Sequence, residues 1–208
     1  MGDFDVLAEL VPLSGRTVVD VGCGDGAFVR RLRAAGADAL GVDIDVARAL
    51  EADPGGRYLE GGAEALPLAD ASVDIAVLMR SLHHVPDPDS AFPELRRVVR
   101  DLVYVAEPLP TGNFFELMLP VDDETEVRAA AQAAIARAAG FERISSLEYD
   151  IAIRFDAFED FRDMLLAADP DRAEHFGAVE DELRAAFRPG AYDAPMRADL
   201  LRVVSSAP

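Results

Sequence analysis

"VVDVGCGDGAF", Val18 to Phe28, decides how this chain folds. The apolar, β-branched run ending at Val21 reads as a strand, and the stretch from Ala27 onward reads as a helix. Between them Gly22, Gly24 and Gly26 form a loop that lets another group approach the backbone closely. A dinucleotide loop would read GxGxxG, with the helix N-terminus facing a pyrophosphate. Here the third glycine comes one residue early, and Asp25 sits where a pyrophosphate would meet a like charge. With Asp20 at the strand end, the flanking carboxylates favour a cationic ligand, an ammonium or a sulfonium, over a phosphate. A tight turn without a ligand is the lesser alternative for the loop taken alone.

Downstream, strand-like and helix-like segments alternate, the pattern of a parallel α/β sheet. Ahead of the loop a helix is expected over Phe4 to Val11. After it come a helix to Ala35 ended by Gly36, a strand "ALGVD" (Ala39 to Asp43), and a short helix from Asp45 to Ala52. "RYLEG" is a third, short strand. "VDIAVLM" (Val73 to Met79) is apolar enough to be buried on both faces. A helix near Asp89 to Val99 leads into "LVYVAE", the fifth strand. "PLPTGNFFELMLP" reads as a loop whose large apolar residues cover a pocket, and "DDETEVRAAAQAAIARAAG" as a helix. "FERISSLEYDIAIRF" and "MRADLLRVVSS" are strands, separated by amphipathic helices broken at Pro170. The expected architecture is a Rossmann-like, doubly wound sheet of seven strands, mostly parallel, with a C-terminal antiparallel hairpin. One domain is expected over 1–208, with a helical lid inserted at 156–197.

Asp43, ending the second strand, would face the same crevice as the loop and can accept hydrogen bonds from both hydroxyls of a ribose. Loop and acid together point to an adenosine moiety with a cationic, phosphate-free tail. S-adenosylmethionine fits that description.

Composition sets the outer limits. The 208 residues are half hydrophobic, enough for a sizeable core. The formal charge of −19 argues against a nucleic-acid partner, which needs clustered cations. Every basic residue is an arginine, so lysine chemistry such as a Schiff base is excluded. Cys23 is the single cysteine, which leaves no internal disulfide and no cysteine-based zinc cluster. No apolar run is long enough to span a bilayer, and "MGDFDVLAEL" has no basic region of a secretory signal. A cytoplasmic protein with no membrane partner is the expectation; the oligomeric state stays open, a homodimer among the options.

"VVDVGCGDG", "GVDI", "GGAEALPLADASVDIAVLMRSLHHV" and "VAEP" together resemble the class I S-adenosylmethionine-dependent methyltransferases, in particular those acting on small molecules. The resemblance covers about Val18 to Glu107. It implies that Gly22, Gly24 and Gly26 hold the methionine part of the cofactor, with Asp20 organising the loop or reaching the ammonium. It implies that Asp43 binds the ribose, that Ile44 packs on adenine, and that Ala63 and Glu64 line the adenine edge. Met79 and Arg80 would lie along the methionine moiety, Arg80 meeting its carboxylate. Two departures stand out. Gly62 takes the place of an acid often found before the alanine, and the usual Pro-Gly-Gly turn before the fifth strand is trimmed.

The expected activity is methyl transfer to an oxygen or nitrogen of a small organic acceptor, leaving S-adenosylhomocysteine. A non-catalytic cofactor-binding partner or sensor of the same fold is the alternative. A nicotinamide dehydrogenase is disfavoured by the early third glycine and Asp25. Catalytic candidates are His83, His84 and Glu107. The histidines act as bases or as architecture, and Glu107 orients an acceptor or caps the following loop. Phe114, Phe115, Leu117 and Met118 are either an acceptor wall or packing for the lid. No metal is expected of His83, His84, Asp87 and Asp89, because adjacent histidines on an extended chain diverge.

Overall fold

The computed structural model describes residues 2–168 and 170–204. Seven strands form one sheet, β1 (Thr17–Val21), β2 (Asp38–Asp43), β3 (Tyr58–Glu60), β4 (Val73–Met79), β5 (Val99–Pro108), β6 (Phe141–Phe155) and β7 (Gly190–Val203), in the order β3-β2-β1-β4-β5-β7-β6. The first five run parallel, and β7 pairs antiparallel with both β5 and β6. The chain leaves β3 at one side and re-enters beside β1 as β4. The order reverses between β1 and β4, and a crevice opens there at the strands' C-terminal ends.

Alternation along the central strands explains why both faces are covered. Val18, Ile75, Val77 and Tyr104 point to one side, where they meet Val6 and Leu7 of α1 (Asp3–Leu10), Val29 and Leu32 of α2 (Ala27–Ala34) and Ala49 of α3 (Ala47–Ala52). Val19, Ala76, Leu78, Val103 and Val105 point to the other. There they pack on Phe92, Leu95 and Val98 of α4 (Ala91–Val98) and on Ala131, Ala134 and Ile135 of α6 (Thr125–Arg137). Burying each such Val, Leu, Ile or Phe contributes about 1.5–3 kcal/mol. α4 ends at Val98 and β5 begins at Val99, so the trimmed turn amounts to a direct helix-to-strand passage.

Three expectations are corrected. The segment Pro108 to Pro120, read as a loop, contains helix α5 (Asn113–Met118), which its three prolines flank rather than interrupt. The last strand begins at Gly190, not Met196, because β6 and β7 pair without a break from Phe155–Gly190 to Ser145–Leu200. The helical excursion, α7 (Phe158–Ala168) and α8 (Ala173–Ala186), is therefore shorter than 156–197. Ser205 and Ser206, read as strand, and Met1, Asp169, Ala207 and Pro208 of the expected domain lie outside the described residues. The excursion has a core of its own, built on Phe155, Phe158, Phe161, Phe176, Phe187 and Tyr192 with Leu117 and Met118 of α5. No helix among the described residues is long and apolar enough to cross a membrane.

Candidate functional site

The three loop glycines do different work. A side chain at Gly22 would collide with Ser81, whose hydroxyl donates to the Val21 carbonyl at 2.7 Å and locks the β1 loop to the β4 loop. A side chain at Gly26 would collide with the Tyr58 ring, and Gly26 lies outside the crevice lining. Gly24 alone has open space where its side chain would be, at a left-handed φ of +54°. Asp25 Oδ1 accepts the Ala27 N–H at 2.9 Å, so a carboxylate already occupies the N-terminus of α2 where a pyrophosphate would sit.

The crevice has two arms. One, of about 520 Å³, is lined by Gly22, Gly24, Asp43, Ile44, Ala63, Glu64 and Arg80 among others. Asp43 Oδ2 accepts the Gly24 N–H at 2.8 Å and Oδ1 the Asp45 N–H at 3.1 Å. Ile44 is 77% exposed, an apolar side chain with no protein partner over it. The Glu64 carboxylate lies against Gly62, where a side chain at that position would meet it within 2.6 Å.

The other arm, of about 640 Å³, is lined by Asp3, Asp20, Cys23, Gly24, Met79 and Arg80 among others. Asp20 is 1% exposed, and among the described residues its Oδ2 has no hydrogen-bond partner. Burial, reinforced by the nearby Asp43 charge, pushes its carboxyl up to about 7. Burial, with the charges of Asp20 and Asp43, also pushes the Cys23 thiol up to about 12, leaving it inert near neutrality.

Arg80, a non-glycine residue at φ +53°, lines both arms and also a third cavity of about 180 Å³. Its guanidinium pairs with Asp3 of α1, whose other oxygen accepts the Tyr149 hydroxyl at 2.8 Å. Phe114, Phe115, Leu109, Ile151, Ile153 and Met196 give the third cavity apolar walls, and His83, His84 and Arg128 its polar end. Of the four residues expected as acceptor wall or lid packing, Phe114 and Phe115 line this cavity, while Leu117 and Met118 belong to the helical core.

Glu107 is fully buried. Its Oε1 accepts the N–H groups of Ser81 and Leu82 at 3.0 and 2.8 Å, and Oε2 bonds His83 Nδ1. It holds the turn after β4 and the His83 ring and does not line the third cavity. The expected divergence of the histidines is corrected. They sit on a single 3₁₀ turn, Leu82–His84, with ring centroids 4.0 Å apart. Asp89 is drawn off to Arg137 at 2.7 Å. Glu124, which sequence reading missed, faces the imidazoles instead. It is buried, its Oε2 accepting from Arg128 Nε and Nη2 at 2.9 and 2.6 Å, and Arg128 stacks on Phe115 at 4.7 Å. Helix α4, strand β5 and helix α5 lie between the histidines and Glu124 in the chain, so no local spacing could have flagged it.

Residues 19–106 match the family model described as a methyltransferase domain. Over 102 residues the chain is 43% identical to an uncharacterized methyltransferase of Mycobacteroides abscessus, covering 45% of this chain and 39% of that protein. Over 95 residues it is 40% identical to a ubiquinone biosynthesis O-methyltransferase of Ralstonia nicotianae, covering 42% of this chain and 40% of that protein. The chain thus spans about two fifths of the length of these curated relatives. A crystal structure from Bacillus halodurans C-125, ascribed to a methyltransferase, superimposes with a TM-score of 0.68 over 98% of this chain and 99% of that one. Its sequence identity is 20%, so the likeness shows the fold.

Proposed function

We propose that this chain, which belongs to the class I S-adenosylmethionine-dependent methyltransferases, transfers a methyl group to an oxygen or nitrogen of a small organic molecule. The observation that carries this reading is the meeting of three cavities at Arg80, two lined by the glycine loop and one with mostly apolar walls.

The residues present suit S-adenosylmethionine. Asp20 offers a buried, unpartnered carboxylate oxygen to an ammonium. Gly24 leaves room over its Cα, and Ile44 offers an uncovered apolar face to adenine. Asp43 accepts from the ribose hydroxyls, Ala63 and Glu64 line the adenine edge, and Met79 flanks the methionine chain. Arg80 exchanges Asp3 for the ligand's carboxylate. When bound, the cofactor supplies an activated methyl group on a sulfonium.

The protein's own contribution is mostly placement. Holding an acceptor in the third cavity, with water excluded by Phe114, Phe115 and Ile151, can lower the barrier by about 7–11 kcal/mol. Glu107 fixes His83 through Nδ1, so Nε2 is the nitrogen offered to a proton the acceptor loses. The excursion α7–α8 packs on α5, whose Phe114 and Phe115 line this cavity, which supports reading it as a lid. The −19 charge favours a small acceptor over nucleic acid.

Incubation with methyl-labelled S-adenosylmethionine and separate sets of phenols, amines and carboxylic acids tests the reading. Label is expected in a phenol or an amine; cofactor binding without transfer to any set would support the non-catalytic alternative.

A further inference from the structure

We propose that His83, His84 and Glu124 form a binding site for one divalent first-row transition-metal ion at the polar end of the third cavity. Each offers one ligand atom, and these atoms all lie within 4.8 Å of one another. Ligands about 2.1 Å from an ion stand at most about 4.2 Å apart. In a tetrahedral site they stand about 3.4 Å apart, so the three side chains have to draw together on an ion.

Each ligand is prepared in a different way. His83 donates through Nδ1 to fully buried Glu107, which fixes its tautomer and leaves Nε2 as the ligand atom. A carboxylate behind a ligating imidazole is the usual outer partner of a protein-bound metal. His84 stacks beside it on the same turn, the two ring centroids 4.0 Å apart. Glu124 gives only Oε2 to Arg128. Its Oε1 has Arg172 Nη2 at 3.9 Å, beyond hydrogen-bond length.

Charge and geometry agree with a cation. Two buried carboxylates flank the imidazoles, Glu107 bonded to His83 and Glu124 to the buried guanidinium of Arg128, and Arg172 is held by Asp122 at 2.5 Å. Two imidazoles and one carboxylate suit zinc, cobalt or iron(II) far better than magnesium or calcium. Three protein ligands leave open positions, and His83 and His84 line the cavity into which these would project. An ion held there would lower the pKa of an acceptor hydroxyl bound to it, so that its proton would pass to solvent without His83 as base. The site does not depend on the methyl-transfer reading, since its test reads metal binding alone.

The experiment titrates chelator-treated protein with cobalt(II) and follows the visible absorption band and the hyperfine-shifted imidazole N–H resonances. The expected result is a band saturating at one equivalent, two shifted imidazole N–H signals, and displacement by zinc. Glu124→Gln and His84→Gln should each weaken cobalt affinity at least tenfold while keeping the far-ultraviolet circular dichroism of the parent. Absence of a saturable band in the parent protein overturns the proposal. So does binding that neither folded variant weakens, which would leave Glu124 as the partner of Arg128 alone.

Discussion

The carboxylate of Asp43, at the end of β2, accepts a hydrogen bond from the backbone N–H of Gly24 across 2.8 Å. The acid assigned to the ribose therefore also shapes the loop assigned to the methionine chain. Removing it opens two contacts at once. Asp43→Ala should lower S-adenosylhomocysteine affinity at least a hundredfold, about 2.7 kcal/mol by calorimetry. Thermal unfolding without ligand should move far less, because Asp43 lies at the crevice rim. A variant that binds as the parent does would remove Asp43 from the site.

Asp20 makes binding depend on pH. Its folded pKa, about 7, lies above the ordinary 3.8, so the native state holds the extra proton between those values. The ligand-free protein therefore loses stability from this group as pH rises from about 4 to about 7. A cationic ligand prefers the ionised carboxylate and reverses the trend. Affinity for S-adenosylhomocysteine should tighten by up to about tenfold per pH unit below 7 and level off above it. Asp20→Asn should abolish the slope; calorimetry showing the same slope in that variant contradicts the assignment.

The loop glycines should separate by assay. Gly26→Ala drives a methyl group into Tyr58 and should lower the melting temperature by several degrees. Gly24→Ala meets no protein atom, so its stability cost is backbone strain of about 1–2 kcal/mol. Its larger effect should be on ligand affinity. Equal effects of both substitutions on affinity would mean the loop is one rigid unit with no ligand-facing position.

His83 and Glu107 should divide between chemistry and positioning. His83→Ala should lower kcat by about 10²–10⁴ with little change in cofactor affinity. Glu107→Gln keeps the shape but loses the charged partner of His83 Nδ1. A smaller kcat loss is expected there, with a shifted pH–rate profile that a purely structural defect would not produce.

Far from the crevice, Asp74 ties β4 to β1. It accepts the Thr17 N–H and hydroxyl at 2.9 and 2.8 Å and pairs with Arg100 at 2.8 Å. The Thr17 backbone bond, with help from Arg100, holds its carboxyl down to about 2. Its stabilisation is present above the unfolded pKa and is lost as pH falls through about 2. Asp74→Asn should cost about 1–3 kcal/mol in denaturant melts near neutrality and leave ligand affinity unchanged.

The sheet was legible because its signals are local. "VVDVGCGDG" and "VDIAVLM" carry both strand character and burial, and β1, β4 and β6 occur over the expected residues. Helix α5 was hidden among prolines, and the N-terminal half of β7 has the turn-like residues Gly190, Asp193 and Pro195, which only the partner strand β6 holds extended. Within the site, Gly24, Asp43 and Ile44 could be named from loop and strand-end positions. Ser81 against Gly22, Tyr58 against Gly26 and Glu124 beside His84 are contacts between distant segments, which no single stretch of sequence displays.

The central claim is that the crevice between β1 and β4 takes an adenosine with a cationic, phosphate-free tail. Calorimetric titration of the intact chain at about pH 7.5, with S-adenosylhomocysteine and separately with NADH, tests it most directly. The account predicts one saturable site per chain for the first ligand and none for the second; no heat with S-adenosylhomocysteine, or tighter binding of NADH, contradicts it.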